Sequence, residues 1–567
     1  MSSLAGAARS ARRVVREASA GTRARREESR RHERVQAPVR LERPGRGLLR
    51  VSVRASQRVR SGLARQWTLT DERPDAVLIE VDARSALTVQ APLAEQRAVA
   101  LAADVPVIVW VTGSARVATD AVNELLDGVS APVHVLVDDE GSLPAWAVGL
   151  GRQVRLLAPA ADTELHSPAV VGRTSRREQV VALVGDATFD RQRLQPLPPE
   201  RLDVIGGDDA ASEISGDRPV LARYRAAAFV QDRPLAPWQA LEAAAAGTVL
   251  LAAPAAADRW PQAVTAQSSV VEGDEQLRLQ AAAHLWQDEL VERAGLRVAR
   301  AVRAGHSYAH RAADLEALLG RPRPVRGVGG APFDRGVSAV ISTNRAHELD
   351  TVADNMVRQS LHESGELQVV LVLHGLDVDP TEVRARFRDK GIDELVVVPA
   401  DASLTLGACL NLGIDASDGA HVAKIDDDNF YGRHYLLDLV DALDYSGAGI
   451  AGKWAHYMWL RSTGAVILRF PNSEHRFERL VQGGSILMRG DVARELRFSD
   501  LPRAVDTDLL DRARTAGVRT YSSDRFNFVS VRGTDRHAHT WTLEDASFMN
   551  RSGRVVFYGD PREHVEV

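Results

Sequence analysis

The chain contains little cysteine and no long apolar run. Cys409 is its only cysteine, which excludes an internal disulfide framework and fits a reducing cytoplasm. The most apolar long stretch, residues 240–257, is interrupted by Glu242, Gly247 and Pro254, so it is too short and too weakly apolar to span a bilayer. No apolar segment follows the basic N-terminus, so no signal peptide is visible. We therefore expect a cytoplasmic protein that is soluble or peripheral at the inner face of a membrane.

Charge and size indicate a globular protein with several domains. The net charge is -5 at pH 7, which argues against a protein that coats nucleic acid along its length. Apolar residues make up 45% of the sequence, enough for packed cores. At 567 residues the chain is too long for one ordinary core, so we expect two or three domains.

Residues 1–66 are biased towards basic residues, and we expect them to form a tail. Arginines crowd the start of this segment, among them Arg12, Arg13, Arg16, Arg23, Arg25, Arg26, Arg30, Arg31 and Arg34. The simpler interpretation is a solvated, partly helical tail. The alternative is attraction to an anionic membrane surface, where each basic residue adds on the order of 1 kcal/mol. No aromatic residue precedes Trp67 to stack on bases, so we do not expect nucleic acid as a partner.

Strand-like and helix-like segments alternate through most of the remaining sequence. This alternation predicts an α/β fold with parallel sheets. We divide it into a Rossmann-like half at residues 67–170, a second half at 171–320, a Pro- and Gly-rich linker at 321–335 and a further domain at 336–567. Ligands of parallel sheets bind at the carboxyl ends of the strands.

An acidic triplet follows the fourth strand of the last domain. Asp426, Asp427 and Asp428 come directly after the apolar run at residues 419–425. Adjacent like charges cost stability unless a cation neutralises them. Two carboxylates that are separated by one intervening residue can bind a hard divalent cation together. The alternative is a solvated acidic turn.

These motifs resemble those of a known family. From about residue 336 to its end, the chain resembles the family 2 glycosyltransferases of the GT-A fold. The matching pieces are residues 342–345, 411–414, 426–428 as the DxD-type motif, 483–489 and 505–512. The triplet with a downstream His is also similar to that of actinobacterial galactofuranosyltransferases. The resemblance implies a domain that transfers a sugar from a nucleotide diphosphate.

The resemblance also implies a donor site and a metal site. Asp428, with Asp426, is the implied ligand of Mn²⁺ or Mg²⁺, and the role of Asp427 stays open. A late His meets the metal in several GT-A enzymes, and we assign His539 in preference to His537, an ordinary surface loop being the alternative. The implied donor-binding residues are Thr343, Asn344, Arg345, Asn411, Asp426, Gly484 and Arg536.

Asp506 is the expected general base. The family places an acidic pair before a Leu here, and Val505 replaces the first member of the pair. Partial desolvation beside Val505 should make Asp506 a stronger proton acceptor than a free Asp. The alternative is that Asp506 and Asp508 cap a helix that starts at Leu509.

Residues 67–320 resemble the two halves of a GT-B glycosyltransferase, and the closing half is similar to CgeB-like members. The matching segments are residues 242–251 and 306–311. Gly247 is alternatively a helix C-cap. His306 and His310 are either a ligand pair or packing and capping residues. We favour a structural or acceptor-docking role for this region over a second active site.

We therefore expect a metal-dependent, inverting glycosyltransferase that acts in cell-surface polysaccharide or glycolipid synthesis. Its partners would be a nucleotide-sugar donor and a glycan or lipid-linked acceptor. A UDP-sugar is the expected donor, although His374 and Gly375 stand where the family has an acidic pair facing the nucleobase. The alternatives are a bifunctional enzyme in which both regions are active and a non-catalytic sugar-binding scaffold.

Overall fold

Four β-sheets with packed helices form the part of the chain that the structure describes. The computed structural model describes residues 49–83, 90–115, 117, 119–172, 178–184, 193–195, 197–205, 220–231, 233, 236–323, 325, 336–533, 545–549 and 552–567. All of these belong to one contact-defined unit, residues 43–567. The predicted α/β class with parallel sheets is confirmed. Among the described helices, none has the length and apolar character needed to cross a membrane.

The first sheet has six strands, all paired in parallel, in the order β2-β1-β3-β4-β5-β6. The strands are β1 (Arg50–Arg54), β2 (Thr68–Leu69), β3 (Ala76–Asp82), β4 (Val107–Thr112), β5 (Val133–Val137) and β6 (Val154–Leu156). The helices are α1 (Gln57–Ala64), α2 (Gln90–Leu101), α3 (Thr119–Leu126), α4 (Leu143–Leu150) and α5 (Pro168–Val171). Every residue of β4 is buried, as expected for a parallel strand covered on both faces.

The boundary that we placed at residue 66 is wrong. Residues 50–64, assigned to the tail, form β1 and α1, and β1 pairs with β3 inside the first sheet. Val51 and Val53 alternate into the core, while Val59 and Leu63 are one helical turn apart and fully buried. The abundance of arginine in this segment concealed both elements, because Arg50 and Arg54 flank the buried strand residues and Arg58 and Arg60 flank Val59 in the helix. Residues 1–48 lie outside the described part of the chain.

The second sheet has five strands, again paired in parallel, in the order β11-β10-β9-β7-β8. The strands are β7 (Glu178–Val184), β8 (Leu202–Ile205), β9 (Tyr224–Phe229), β10 (Val249–Ala252) and β11 (Ser269–Val270). The helices are α6 (Ala236–Ala245), α7 (Pro254–Ala257), α8 (Gln262–Thr265), α9 (Asp274–Trp286), α10 (Asp288–Gly305) and α11 (Tyr308–Leu318). Most of the linker predicted at 321–335 lies outside the described residues.

His306 and His310 do not form a ligand pair on one helix. Helix α10 ends at Gly305 and α11 begins at Tyr308, so the two residues belong to different elements. His310 Nδ1 accepts a 3.3 Å hydrogen bond from the Ser307 amide and completes a capping box at the start of α11. The capping and packing interpretation is therefore correct.

The last 232 residues of the sequence, 336–567, contain two further sheets. The strands are β12 (Val337–Thr343), β13 (Leu367–His374), β14 (Leu395–Ala400), β15 (His421–Ile425), β16 (Phe430–Tyr431), β17 (Ile450–Gly452), β18 (His456–Leu460), β19 (Ala465–Arg469), β20 (Arg476–Phe477), β21 (Ser485–Arg489), β22 (Thr520–Ser522), β23 (Phe528–Arg532) and β24 (Gly553–Tyr558). The helices are α12 (Leu349–Val357), α13 (Ser360–Glu363), α14 (Pro380–Asp389), α15 (Leu406–Asp415), α16 (Tyr435–Ser446), α17 (Gly490–Leu496), α18 (Val505–Thr515) and α19 (Arg562–Val565).

The larger of these sheets has eight strands in the order β14-β13-β12-β15-β21-β17-β22-β20, and the smaller has the order β16-β23-β18-β19-β24. Strands β14, β13, β12 and β15 are parallel, whereas β21 runs antiparallel to β15. The end of β15 therefore meets the beginning of β21, and Ile425 pairs with Ser485. This register brings residues on both sides of the β15–β21 junction to one edge of the sheet.

Helix α10, which packs on the second sheet, contacts the last part of the chain through ion pairs and apolar residues. Arg300 makes a two-pronged ion pair with Asp438 of α16, at 3.0 and 3.1 Å. Glu292 also pairs with the buried Arg525. Leu296 packs against the apolar cluster around Phe526. Regions that are distant in sequence are thus joined by paired charges and apolar contacts.

Candidate functional site

The acidic triplet lies where β15 ends, and its three side chains point in different directions. Asp427 is turned inward, with a side chain only 6% exposed. Asp426 and Asp428 are 33% and 23% exposed, respectively. The outer two carboxylates are thus accessible from the same edge of the sheet, while the central one is part of the protein interior. The role of Asp427, which the sequence left open, is therefore a structural one: its buried carboxylate stabilises the turn.

Residues at the end of the neighbouring strand β12 hold Asp427. Thr343 Oγ1 donates a 2.6 Å hydrogen bond to Asp427 Oδ2. Arg345 donates to the same carboxylate from Nε, at 3.1 Å, and from Nη2. Arg345 Nη2 also donates to Asp428 Oδ2 at 3.0 Å. The structure therefore brings Thr343 and Arg345 to the triplet, whereas Asn344 lies between them with an exposed side chain.

Lys424 connects the triplet to α18, and our sequence reasoning missed it. Its side chain is 6% exposed, and Nζ lies 2.6 Å from Asp426 Oδ1 and 3.4 Å from Asp506 Oδ1. Burial alone would lower the pKa of Lys424, but these two carboxylates raise it above the ordinary value. A lysine within an otherwise apolar strand was the available signal, because a buried ammonium group requires a nearby anion.

Asp506 and Asp508 have different surroundings, although both lie in the first turn of α18. Asp506 faces Lys424, and burial raises the pKa of its carboxyl group. Asp508 accepts hydrogen bonds from Ser499 and Arg512, which lower its pKa. The helix starts at Val505 rather than at Leu509, so the alternative in which both residues cap a helix beginning at Leu509 does not hold. Of the two, Asp506 is the one that reaches the triplet.

Two glycines allow these carboxylates to approach the chain before β21. A Cβ atom on Gly483 would lie 2.1 Å from Asp506 Oδ2, and one on Gly484 would lie 2.5 Å from Asp426 Oδ2. The buried hydroxyl of Tyr431 donates to the Gly484 carbonyl and accepts from the Asp426 amide, both at 2.8 Å. The two glycines thus bring two protein carboxylates close to the backbone before β21.

Asn411, one of the predicted donor-binding residues, is not part of this group. Asn411 lies in α15, where its side-chain amide donates to the Phe498 carbonyl at 2.8 Å and accepts from the Phe498 amide at 2.9 Å. Both ends of the amide thus bind the backbone of Phe498, which gives Asn411 a structural role here, and its donor-binding role stays a prediction. Arg536 and His539, together with the alternative His537, lie outside the described residues.

The charges at the site leave room for a divalent cation. Four carboxylates meet two cationic side chains, which leaves two negative charges. The carboxylates are those of Asp426, Asp427, Asp428 and Asp506, and the cationic side chains are those of Lys424 and Arg345. Burial and the charge of Asp426 raise the pKa of Asp428 to about 6, as expected where negative charge is in excess.

Carboxylate oxygens suit Mg²⁺ or Mn²⁺, so the outer carboxylates fit such an ion. In the described part of the chain, no three His, Cys, Asp or Glu side chains form a preassembled metal cluster.

Glu242 of α6 forms an ion pair with Arg58. Its side chain is 7% exposed and lies 2.8 Å from Arg58 Nε. Arg58 comes from α1, the segment that we had assigned to the tail, and also lies over the Trp238 ring. The pair joins the first and second sheets. Gly247 follows α6 with a positive φ of 81°, which agrees with its alternative role at the helix end.

The comparisons with known proteins give structural matches of low sequence identity. No protein-family model matches the chain, and no curated protein matches it. The mannosyltransferase PcManGT from Pyrobaculum calidifontis, in complex with GDP-Man and Mn²⁺, is 17% identical, with a TM-score of 0.29 over 39% of this chain and 63% of its own. S. aureus TarS 1-349 in complex with UDP-GlcNAc is 14% identical, with a TM-score of 0.28 over 37% and 62%.

The chain thus spans less than two thirds of either structure.

Proposed function

We propose that residues 336–567 are a GT-A glycosyltransferase domain that transfers a sugar from a nucleotide diphosphate to an acceptor hydroxyl. The observation that supports this most is the Asp426–Lys424–Asp506 bridge. It places a candidate proton acceptor beside a pair of accessible carboxylates at the carboxyl edge of a largely parallel sheet. Such edges are where α/β sheets bind ligands.

The donor side of the site is formed by the outer carboxylates and Arg345. Asp426 and Asp428 would hold Mn²⁺ or Mg²⁺, which when bound would stabilise the charge of the leaving diphosphate. Arg345 can offer its guanidinium to phosphate oxygens, a geometry that favours two parallel hydrogen bonds. We keep Asn344, Gly484, Arg536 and His539 as proposed donor or metal contacts.

The acceptor side is assigned to Asp506. The acceptor hydroxyl oxygen forms a bond to the anomeric carbon as the bond from that carbon to the diphosphate oxygen breaks. The diphosphate leaves with the electron pair, and Asp506 takes the hydroxyl proton. A single displacement of this kind inverts the anomeric centre. Burial raises the pKa of Asp506 and strengthens it as a base, while Lys424 keeps its carboxylate charged and in place.

For the remainder of the chain we propose a supporting role. Residues 49–320 would form two GT-B-like halves that dock an acceptor glycan or lipid-linked glycan for cell-surface polymer synthesis. The pairing of the buried Glu242 with Arg58 favours this role over a second active site. The basic residues before position 49 would attract the protein to an anionic membrane surface on the cytoplasmic side.

A donor screen tests the proposal. Full-length protein is incubated with UDP-sugars and GDP-sugars, Mn²⁺ and a set of glycan acceptors, and the released nucleoside diphosphate is measured. We expect turnover with at least one donor and its loss on Asp428→Asn. Turnover that survives both chelation and Asp428→Asn would contradict the metal assignment. If no donor releases nucleoside diphosphate but the sugar is still bound, the protein is the non-catalytic scaffold instead.

A further inference from the structure

Arg345 occupies the side of the triplet that a divalent cation would need. Its guanidinium contacts both oxygens of Asp427 and, through Nη2, lies 3.0 Å from Asp428 Oδ2. The arginine side chain is 28% exposed, and that of Asp428 is 23% exposed. The contact to Asp428 is thus at the open edge of the site, where a ligand can displace it.

A guanidinium and a metal ion compete for the same carboxylate because both are positively charged. Two like charges a few ångströms apart repel each other at a protein surface, and a divalent ion doubles the repulsion that a monovalent ion would cause. Binding of a cation to Asp428 therefore requires Arg345 to withdraw from it. This withdrawal costs the hydrogen bond between them, so the cation by itself should bind weakly.

Asp427 can stay in place when Arg345 moves. Thr343 Oγ1 holds Asp427 Oδ2 at 2.6 Å independently of the arginine, so the turn retains one anchor. The arginine, in contrast, needs a new anionic partner. The oxygens of a nucleoside diphosphate are the partner that suits its planar donors best.

We propose that Arg345 blocks the cation site until a nucleoside diphosphate draws it away, so that cation and nucleotide bind cooperatively. This inference rests on the proposed function. It assigns to Arg345 a positioning role that alternates between Asp428 and the diphosphate. By linkage, whatever factor the nucleotide adds to cation affinity, the cation adds to nucleotide affinity.

Binding of Mn²⁺ to the full-length protein, followed by electron paramagnetic resonance of the free ion, tests the proposal. For the wild type we expect weak binding of Mn²⁺ alone, strengthened on the order of tenfold or more by UDP or GDP. Arg345→Gln should bind Mn²⁺ alone more tightly than the wild type, and its gain from the nucleotide should shrink. Arg345→Lys keeps the charge but loses the planar guanidinium, so its affinity for Mn²⁺ alone should lie between those of the wild type and Arg345→Gln.

Arg386→Gln is the matched control, since it removes an arginine that pairs with Asp350 away from the triplet, and it should bind like the wild type. The proposal is overturned if Arg345→Gln and Arg345→Lys, both folded by circular dichroism, bind Mn²⁺ alone no more tightly than the wild type.

Asp428→Asn separates this result from failure of the proposed function. If Asp428→Asn binds Mn²⁺ with nucleotide as well as the wild type does, the metal assignment itself is wrong. If it loses binding while the Arg345 variants behave like the wild type, only the blocking role is wrong.

Discussion

Lys424 is the residue on which the site depends most. It accounts for the proximity of Asp426 and Asp506, because without a cation between them two half-buried carboxylates would repel each other. Its Nζ also donates to the Gly483 carbonyl at 3.1 Å, which fixes the chain before β21. One buried ammonium group thus links the proposed donor side to the proposed acceptor side.

Asp506→Asn should remove the proposed base without disturbing the rest of the site. The amide keeps the shape of the carboxylate but cannot accept the proton, so turnover should fall by roughly 10² to 10⁴ while donor affinity changes little. Initial rates and donor titrations measure the two effects. Asp508→Asn is the control, because Asp508 faces Ser499 and Arg512. If Asp508→Asn shows the large loss instead, the base is misassigned.

Replacing Lys424 should change how activity depends on pH. Burial raises the pKa of Asp506, and Lys424 opposes that rise. In Lys424→Met the pKa of Asp506 should therefore increase further. The base then stays protonated to higher pH, and the acid limb of the pH–rate profile shifts to higher pH. Lys390→Met, which removes a surface lysine paired with Asp354, should leave the profile unchanged. An acid limb that does not move in Lys424→Met would mean that Asp506 is not the base.

At the scale of elements, the antiparallel strand β21 determines the shape of the site. In an all-parallel sheet the end of β15 would lie beside the ends of its neighbours only. Because β21 enters from the opposite direction, its preceding glycines lie against the carboxylates that follow β15. The close fit at Gly484 leaves no space for a side chain.

Gly484→Ala should therefore impair activity more than stability. The added Cβ would lie 2.5 Å from Asp426 Oδ2 and must push that carboxylate aside, and a displacement near 1 Å can cost about 10² in rate. Gly305→Ala is a suitable control, since nothing lies within 4 Å of its Cβ position. Steady-state rates and thermal melting of both variants measure the effect. Wild-type rates for Gly484→Ala would mean that Asp426 has freedom to move.

At the scale of the whole molecule, α10 holds the earlier sheets against the last part of the chain. Arg300 is 12% exposed and its partner Asp438 only 2% exposed. Arg300→Met would leave a buried carboxylate without its main cation, which should lower the free energy of unfolding by roughly 3 to 5 kcal/mol.

Arg497→Met is the comparison for Arg300→Met, because it breaks an exposed pair with Asp415 and should cost about 1 kcal/mol or less. Urea unfolding followed by fluorescence distinguishes the two variants. Equal losses of unfolding free energy in the two variants would show that the Arg300–Asp438 contact contributes no more to stability than a surface ion pair does.

The revised boundary of the first sheet changes how the basic tail should be tested. Deleting residues 1–40 should release the protein from anionic vesicles, as should added salt, because screening acts over about 10 Å at 0.1 M. The shortened protein should keep its melting temperature and its activity on a soluble acceptor. Deleting residues 1–66 removes β1 and α1 as well and should destabilise the first sheet. Vesicle binding that persists without residues 1–40 would place the membrane contact elsewhere.

The sequence by itself determined the α/β class, the strand that leads into the triplet and the position of Asp426 and Asp428 at one edge of the sheet. These follow from local periodicity and from the repulsion of adjacent charges, which are visible along the chain. It did not determine that Lys424 joins Asp426 to Asp506, that the Asn411 amide binds the Phe498 backbone, or that Arg58 pairs with Glu242. Those outcomes depend on which distant elements meet, and only the packing of β21 on β15, of α15 near Phe498 and of α1 against Glu242 decided them.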